Sequence, residues 1–165
     1  MSKRPEIIAD TSTLSNFARS GWWWVLERLF PEGMFTPDDV MVEIEKGIEK
    51  GYELGAVVEA QGNWLEVIEV LSDTEVTILQ RLKTKYRAIR QGAEGTVLAI
   101  AGVRQLACLM DDKAAIRAAR ELGIAVITTY DVLQRALRNG IISQKDLQKV
   151  TTDLSQKARF KIKEG

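Results

Sequence analysis

The sequence predicts an α/β protein, a single three-layer α/β/α domain around a mainly parallel central sheet. Three observations predict it. Short apolar runs alternate along the chain with segments of helical periodicity. Those runs are continuous rather than alternating, the pattern of strands covered on both faces. The chain has 165 residues, 45% hydrophobic and 28% charged, the size and composition of one globular unit with a substantial core.

The elements follow in order. Glu6–Ala9 is a short buried strand that ends in Asp10. Thr11–Ser20 is a helix with hydroxyls able to cap it, closed by Gly21. Trp22–Phe30 is a second short helix, stopped before Pro31. At Thr36-Pro37-Asp38-Asp39 an N-cap hydroxyl, a proline at the first helical position and two first-turn acids mark a helix running to about Lys50. Tyr52–Gln61 is another helix, ended by Gly62-Asn63. Trp64–Val70 alternates and reads as a strand. Ser72 with Glu75 forms a capping box for a helix to about Tyr86. Ala93–Arg104 is helical, Leu106–Met110 an apolar strand, and Asp112–Leu122 an Ala-rich helix closed by Gly123. Ile124–Thr128 is a strand. Tyr130–Asn139 is a helix closed by Gly140, and Ser143 caps a last helix to about Ser155. Residues 1–155 form the domain, and 156–165 a basic, frayed or partner-dependent tail with Lys157, Arg159, Lys161 and Lys163.

Composition removes several chemistries. There is no His, so Ser–His and Cys–His nucleophiles and His-based zinc sites are absent. The single Cys, Cys108, lies in an apolar run and reads as buried. Reaction chemistry must rest on carboxylates, hydroxyls, Lys or Arg. The 23 basic and 23 acidic side chains balance, so net charge makes no case for nucleic-acid binding. No targeting segment, membrane-length apolar run, low-complexity stretch or internal repeat is visible, so a cytoplasmic protein without a membrane role is expected.

Right-handed crossovers place the C-terminal ends of parallel strands on one edge, where open α/β sheets bind ligands. Asp10 and Asp111 each follow an apolar strand directly, so both belong on that edge. If the two strands are neighbours, their Cα atoms lie roughly 5 Å apart. Glu43 interrupts the apolar helix face VMVEI, and Glu94 opens a helix after Gly92-Ala93. A carboxylate among apolar residues needs a partner. Each acid alone also fits a helix cap or an ion pair with Lys or Arg. Together they point to a shared divalent cation, and Mg²⁺ takes oxygen ligands of this kind.

Four segments carry a resemblance to a known family: D-T-S from Asp10, T-P-x-x-V-x-x-E ending in Glu43, G-x-E ending in Glu94, and D-D from Asp111 followed by A-A-R. In these, over about residues 5–150, the chain resembles PIN domains of the small stand-alone prokaryotic kind that includes VapC-like toxins. The resemblance implies metal-site acids at Asp10, Glu43, Glu94 and Asp111, with Asp112 a neighbour that some members also use. Ser12 matches a small polar position that orients ligands or water, and Thr129 a hydroxyl position after the final strand. Two departures stand out. Relatives often have a second Gly immediately before the Glu of the third motif, where this chain has Ala93. They commonly have glycines at the final turn, here Thr128-Thr129-Tyr130-Asp131; Asp131 there reads as a solvent-facing first-turn acid.

The resemblance implies Mg²⁺- or Mn²⁺-assisted hydrolysis of RNA. Asp10, Glu94 and Asp111, with Asp112, are the expected metal ligands, and Glu43 acts through water or supports a second ion. Without metal, acids sharing a cleft repel and at least one pKa rises. The substrate then needs basic contacts. Arg81, Lys83, Lys85, Arg87 and Arg90 form a run without an acid from Val76 to Ala93, and Lys113, Arg117 and Arg120 follow Asp111. Of these, Arg87, Arg90, Lys113 and Arg117 are the candidate RNA contacts, although a solvated helix face reads equally well. Trp22-Trp23-Trp24 cannot all face one core, because successive helical residues rotate by about 100°. At least one is expected at the surface, as core rim, protein interface or base platform.

Two classes of function result. One is an endoribonuclease, the toxin of a toxin–antitoxin pair, homodimeric and held by an antitoxin. The other is a catalytically weak PIN-like module that binds RNA or protein. An aspartyl-phosphate phosphatase ranks third, because its second Asp is Ser12 here.

Overall fold

The computed structural model describes residues 4–70 and 72–162. The elements run β1 (Ile7–Ala9), α1 (Thr11–Ser20), α2 (Trp23–Leu29), β2 (Met34–Pro37), α3 (Asp38–Glu49), α4 (Gly55–Ala60) and β3 (Leu65–Ile68). Then come α5 (Asp73–Lys85), a 3-10 turn (Arg87–Ile89), α6 (Glu94–Arg104), β4 (Ala107–Leu109), α7 (Lys113–Glu121), β5 (Val126–Ile127), α8 (Thr129–Arg138) and α9 (Gln144–Lys157). The strands order as β3-β2-β1-β4-β5, and every pairing between them is parallel.

That order sets the layers. From β1 the chain steps outward through β2 to β3, then returns across β1 to β4 and continues to β5. With right-handed crossovers, the helices that link β1 to β2 and β2 to β3 cover one face, and those that link β3 to β4 and β4 to β5 cover the other. The packing agrees. α1 lies against α2, α3, α4 and α9, and α2 against α8, while α5, α6 and α7 pack among themselves. The strand order reverses between β1 and β4, where Ala9 pairs with Leu109. Asp10 and Asp111 therefore flank the switch point of the sheet. Ile8, Leu14, Phe17, Leu26, Met34, Leu98, Ile100 and Leu109 are fully buried around it.

The three-layer expectation holds, with corrections in detail. Met34–Pro37 is a strand, not the approach to a helix N-cap. Thr36 pairs with Val67, and its hydroxyl donates to the Ala9 carbonyl at 2.9 Å instead of capping α3. Parallel pairing on both sides outweighs the local capping signal there. Pro37 ends the strand with φ −72° and precedes the helix. The boundary expected between 155 and 156 falls inside α9, which runs to Lys157. Leu154 and Ala158 are buried four residues apart, and Phe160 and Ile162 pack on the core. Lys163, expected in a basic tail, lies outside the described residues.

The tryptophan triplet divides as helical rotation requires. Trp22 and Trp23 are buried, while Trp24 is 39% exposed. Trp22 Nε1 donates to Asp153 Oδ2 at 2.8 Å, tying the start of α2 to α9. Trp23 meets Trp64 edge-on at 5.6 Å. Cys108 is fully buried on β4, and burial pushes its thiol up to about 12. Among the described residues no helix is long and apolar enough to cross a membrane.

Candidate metal centre

Asp10 lies one residue beyond β1 and caps α1. Its Oδ1 accepts from Thr13 N–H at 3.0 Å. It is only 2% exposed. Burial is the main reason its carboxyl is pushed up to about 7. The bonds from Thr13 oppose that shift, and the charges of Asp111 and Glu94 add to it. The repulsion expected among acids in a shared cleft is therefore present.

Asp111 stands across the switch point at the end of β4. Its Oδ1 accepts from Thr129 N–H at 2.9 Å. Its Oδ2 accepts from Thr129 Oγ1 at 2.6 Å and from Thr13 Oγ1 at 3.3 Å. Thr129 is fully buried at the first turn of α8, so its N–H and hydroxyl hold Asp111 in one orientation. Burial raises the Asp111 pKa. The threonine bonds oppose the rise, and Asp131 adds to it.

Glu43 is half-buried on α3. Its Oε1 accepts from Thr11 Oγ1 at 3.1 Å and from Ala93 N–H at 3.0 Å. It thereby bridges the start of α1 to the turn that enters α6. Glu94 opens α6 beside it. Glu94 Oε2 is buried and has no hydrogen-bond partner, the only such side-chain atom among the described residues. Burial raises its pKa, and the charges of Glu43 and Asp112 push it further in the same direction.

Gly92 explains how Glu94 reaches this position. A Cβ at residue 92 would lie 2.0 Å from Glu94 Oε2 and 2.9 Å from its Cδ. The glycine leaves the cradle into which the carboxylate folds. The motif needs its glycine two residues before the acid, and Ala93 in between donates its N–H to Glu43.

The structure thus brings Asp10, Glu43, Glu94 and Asp111 into one electrostatic neighbourhood at the switch point. Asp112 is at its margin. It is exposed, and its Oδ2 caps α7 by accepting from Ala115 N–H at 2.9 Å. Ser12 is also exposed; the hydroxyls that touch the acids belong to its neighbours Thr11 and Thr13. The spacing of Asp10 and Thr13, three residues apart on one helix face, was the signal for this. Asp131 forms a capping box with Thr128 and is half-buried, rather than facing solvent.

Among the described residues, none of the expected RNA contacts bonds to the four acids. Arg87, Lys113 and Arg117 are exposed, and Arg90 is exposed with its Nε donating to the Lys83 carbonyl. Lys85 pairs with Glu121, which also accepts from the Tyr86 hydroxyl.

The donor set suits a hard divalent cation. It is all oxygen, and it includes one buried carboxylate oxygen with no partner, in a cradle that a Cβ would fill. Among the described residues no three acids stand close enough to enclose an ion as placed. Mg²⁺ requires fewer, since it keeps several waters and usually takes one or two carboxylates.

A parallel sheet with acids at its switch point is the kind of ligand site that open α/β folds build. The model of the PIN domain family matches residues 6–165. The chain belongs to the PIN domain family. PIN domains are generally nucleases and generally use divalent metal ions. No curated protein matches the chain in sequence.

Proposed function

We propose that the chain is a Mg²⁺- or Mn²⁺-dependent endoribonuclease. The observation that carries this is the unpartnered Oε2 of Glu94, buried beside the charges of Glu43 and Asp112 and itself raising the pKa of Asp10. Asp10, Asp111 and Glu94 are the residues that would hold the ion. A bound divalent ion would supply charge stabilisation on the phosphate and lower the pKa of a water. The chain's own contribution is orientation. Thr129 and Thr13 fix Asp111, while Thr11 and the Ala93 N–H fix Glu43.

The test is cleavage of unstructured RNA with Mn²⁺ or Mg²⁺, with a chelator control. Wild type is compared with Asp10→Asn and Asp111→Asn. Both variants keep shape and lose a charged ligand, and activity is expected to fall by roughly two orders of magnitude or more. Equal cleavage by all three, or cleavage that survives the chelator, overturns the reading.

The finer reading is the toxin of a toxin–antitoxin pair. Its support is the resemblance to VapC-like toxins, together with the exposed Trp24 ring as a contact for a second copy or an antitoxin. Growth arrest on overexpression, relieved by co-expressing a small neighbouring reading frame, is the expected result. Normal growth removes the toxin reading and leaves the nuclease standing.

A further inference from the structure

A groove of about 290 Å³ borders the centre at Glu43 and Thr11. Lys46, Lys50, Tyr52 and Gln91 line it together with them. Lys46 on α3 and Lys50 at its C-cap stand three and seven residues after Glu43, so all three fall on one helix face. Seven residues of helix span about 10 Å. Glu45 and Glu49, the acids interleaved with these lysines, are absent from the lining.

The floor is built for close approach. A Cβ on Gly47 would lie 2.8 Å from Leu54 Cδ1 and 3.3 Å from Tyr52 Cδ2. The missing side chain lets the Tyr52 ring settle against α3. Arg19 of α1 stacks over that ring at 4.1 Å. Tyr52 remains 43% exposed. It is also shared with a second hollow of about 310 Å³ that Arg19 and Lys157 line together with Glu53. The surface therefore leads from a carboxylate centre past two lysines to an aromatic ring backed by a guanidinium.

We propose that this groove carries a single strand of nucleic acid out of the metal centre, with Lys46 and Lys50 on successive phosphates and Tyr52 as the platform for an unstacked base. The inference rests on the nucleolytic reading and names where its substrate lies. Ammonium groups spaced along one helix face answer the backbone charge, and an exposed aromatic ring answers the π-face of any base. Gln91, which follows Arg90, also lines the groove, while Lys85 is paired with Glu121 and the Arg90 Nε donates to the Lys83 carbonyl.

The test is fluorescence anisotropy of a fluorescein-labelled oligouridine, read in the Asp10→Asn background so that the strand stays intact. Lys46→Ala with Lys50→Ala is expected to weaken binding roughly tenfold or more. It should also reduce the slope of log K against log salt by about 1.4, or 0.7 for each phosphate released. Tyr52→Ala is expected to weaken binding roughly 5- to 100-fold, and Tyr52→Phe to restore it. Lys145→Ala with Lys149→Ala on α9 removes the same charge elsewhere and should leave affinity unchanged. Thermal melts of every variant confirm the fold. If Lys46→Ala with Lys50→Ala keeps full affinity and slope while wild type still cuts RNA, the groove assignment falls and the nuclease stands. Loss of binding in Arg87→Ala with Arg90→Ala alone overturns it in the same way. If the protein neither binds nor cuts any strand yet takes up Mn²⁺ by calorimetry, the nucleolytic reading fails and the groove assignment with it.

Discussion

Gly92 and Glu94 show how much one missing Cβ decides. Gly92→Ala places a methyl on the Glu94 carboxylate, whose flexible end must move out of its cradle. The fold is expected to persist, with melting within a few degrees of wild type, while Mn²⁺ affinity by calorimetry falls roughly tenfold. Unchanged affinity would show that Glu94 takes no part in binding the ion. Asp10 makes a second prediction through pH. Burial pushes its carboxyl up to about 7 in the folded chain, from the 3.8 of an ordinary aspartate. Between these values the native state holds a proton that the unfolded state has released. Its contribution is therefore complete below about pH 4 and is lost as pH rises through about 7. Burial moves Asp111 and Glu94 in the same direction. Metal-free protein should lose roughly 2–4 kcal/mol between pH 5 and pH 8 in denaturant titrations. Asp10→Asn should flatten that fall, since the amide oxygen can still accept from Thr13 N–H. A flat profile in wild type would mean that Asp10 is ionised throughout. The acids themselves were legible in the sequence, because Asp10 and Asp111 follow strands, Glu43 interrupts an apolar face and Glu94 opens a helix after a glycine turn. The residues that orient them were not: Thr11 and Thr13 differ from Ser12 only in where α1 turns them.

At the scale of elements, local signals and tertiary demands are joined at Glu75. The capping box with Ser72 was readable from spacing, and both of its bonds form. The same carboxylate also accepts from Arg104 at 2.7 and 3.2 Å, clamping α5 to α6. Glu75 is 1% exposed, so the Arg104 guanidinium is one of the contacts that offset its buried charge. Arg104→Ala should cost about 3 kcal/mol, measured by urea unfolding. Adding Glu75→Gln to Arg104→Ala should recover part of the loss, because the charge left behind is then gone. A cost below about 1 kcal/mol would show that water replaces the guanidinium. A partner on another helix 29 positions away has no signature in a local window. β2 was missed for the related reason that Thr-Pro-Asp-Asp is a strong helix start wherever no strand pairs beside it. Here Phe35 pairs with Ile8 and Thr36 with Val67, and the sheet prevails.

For the whole molecule, the centre links folding to its ion. An ion that binds only the native state raises stability by RT ln(1 + [L]/Kd), about 2.7 kcal/mol at a hundredfold excess over Kd. Mn²⁺ should therefore raise the melting temperature of wild type and leave Asp10→Asn nearly unmoved. Equal shifts in both would assign the effect to surface sites. The sequence by itself determined the class of fold, since continuous apolar strands between helices admit few arrangements. It also singled out the carboxylates that the proposed function uses, since Asp10 and Asp111 follow apolar runs and Glu43 interrupts an apolar helix face. Tertiary structure alone decided that β1 and β4 are neighbours, which places Asp10 beside Asp111 at the reversal of strand order. It alone left Glu94 Oε2 buried without a partner and turned Lys46, Lys50 and Tyr52 into one groove. The physical reason is range. Periodicity and capping act within a turn or two of the chain, whereas burial and charge coupling act between segments that meet only after the sheet has closed.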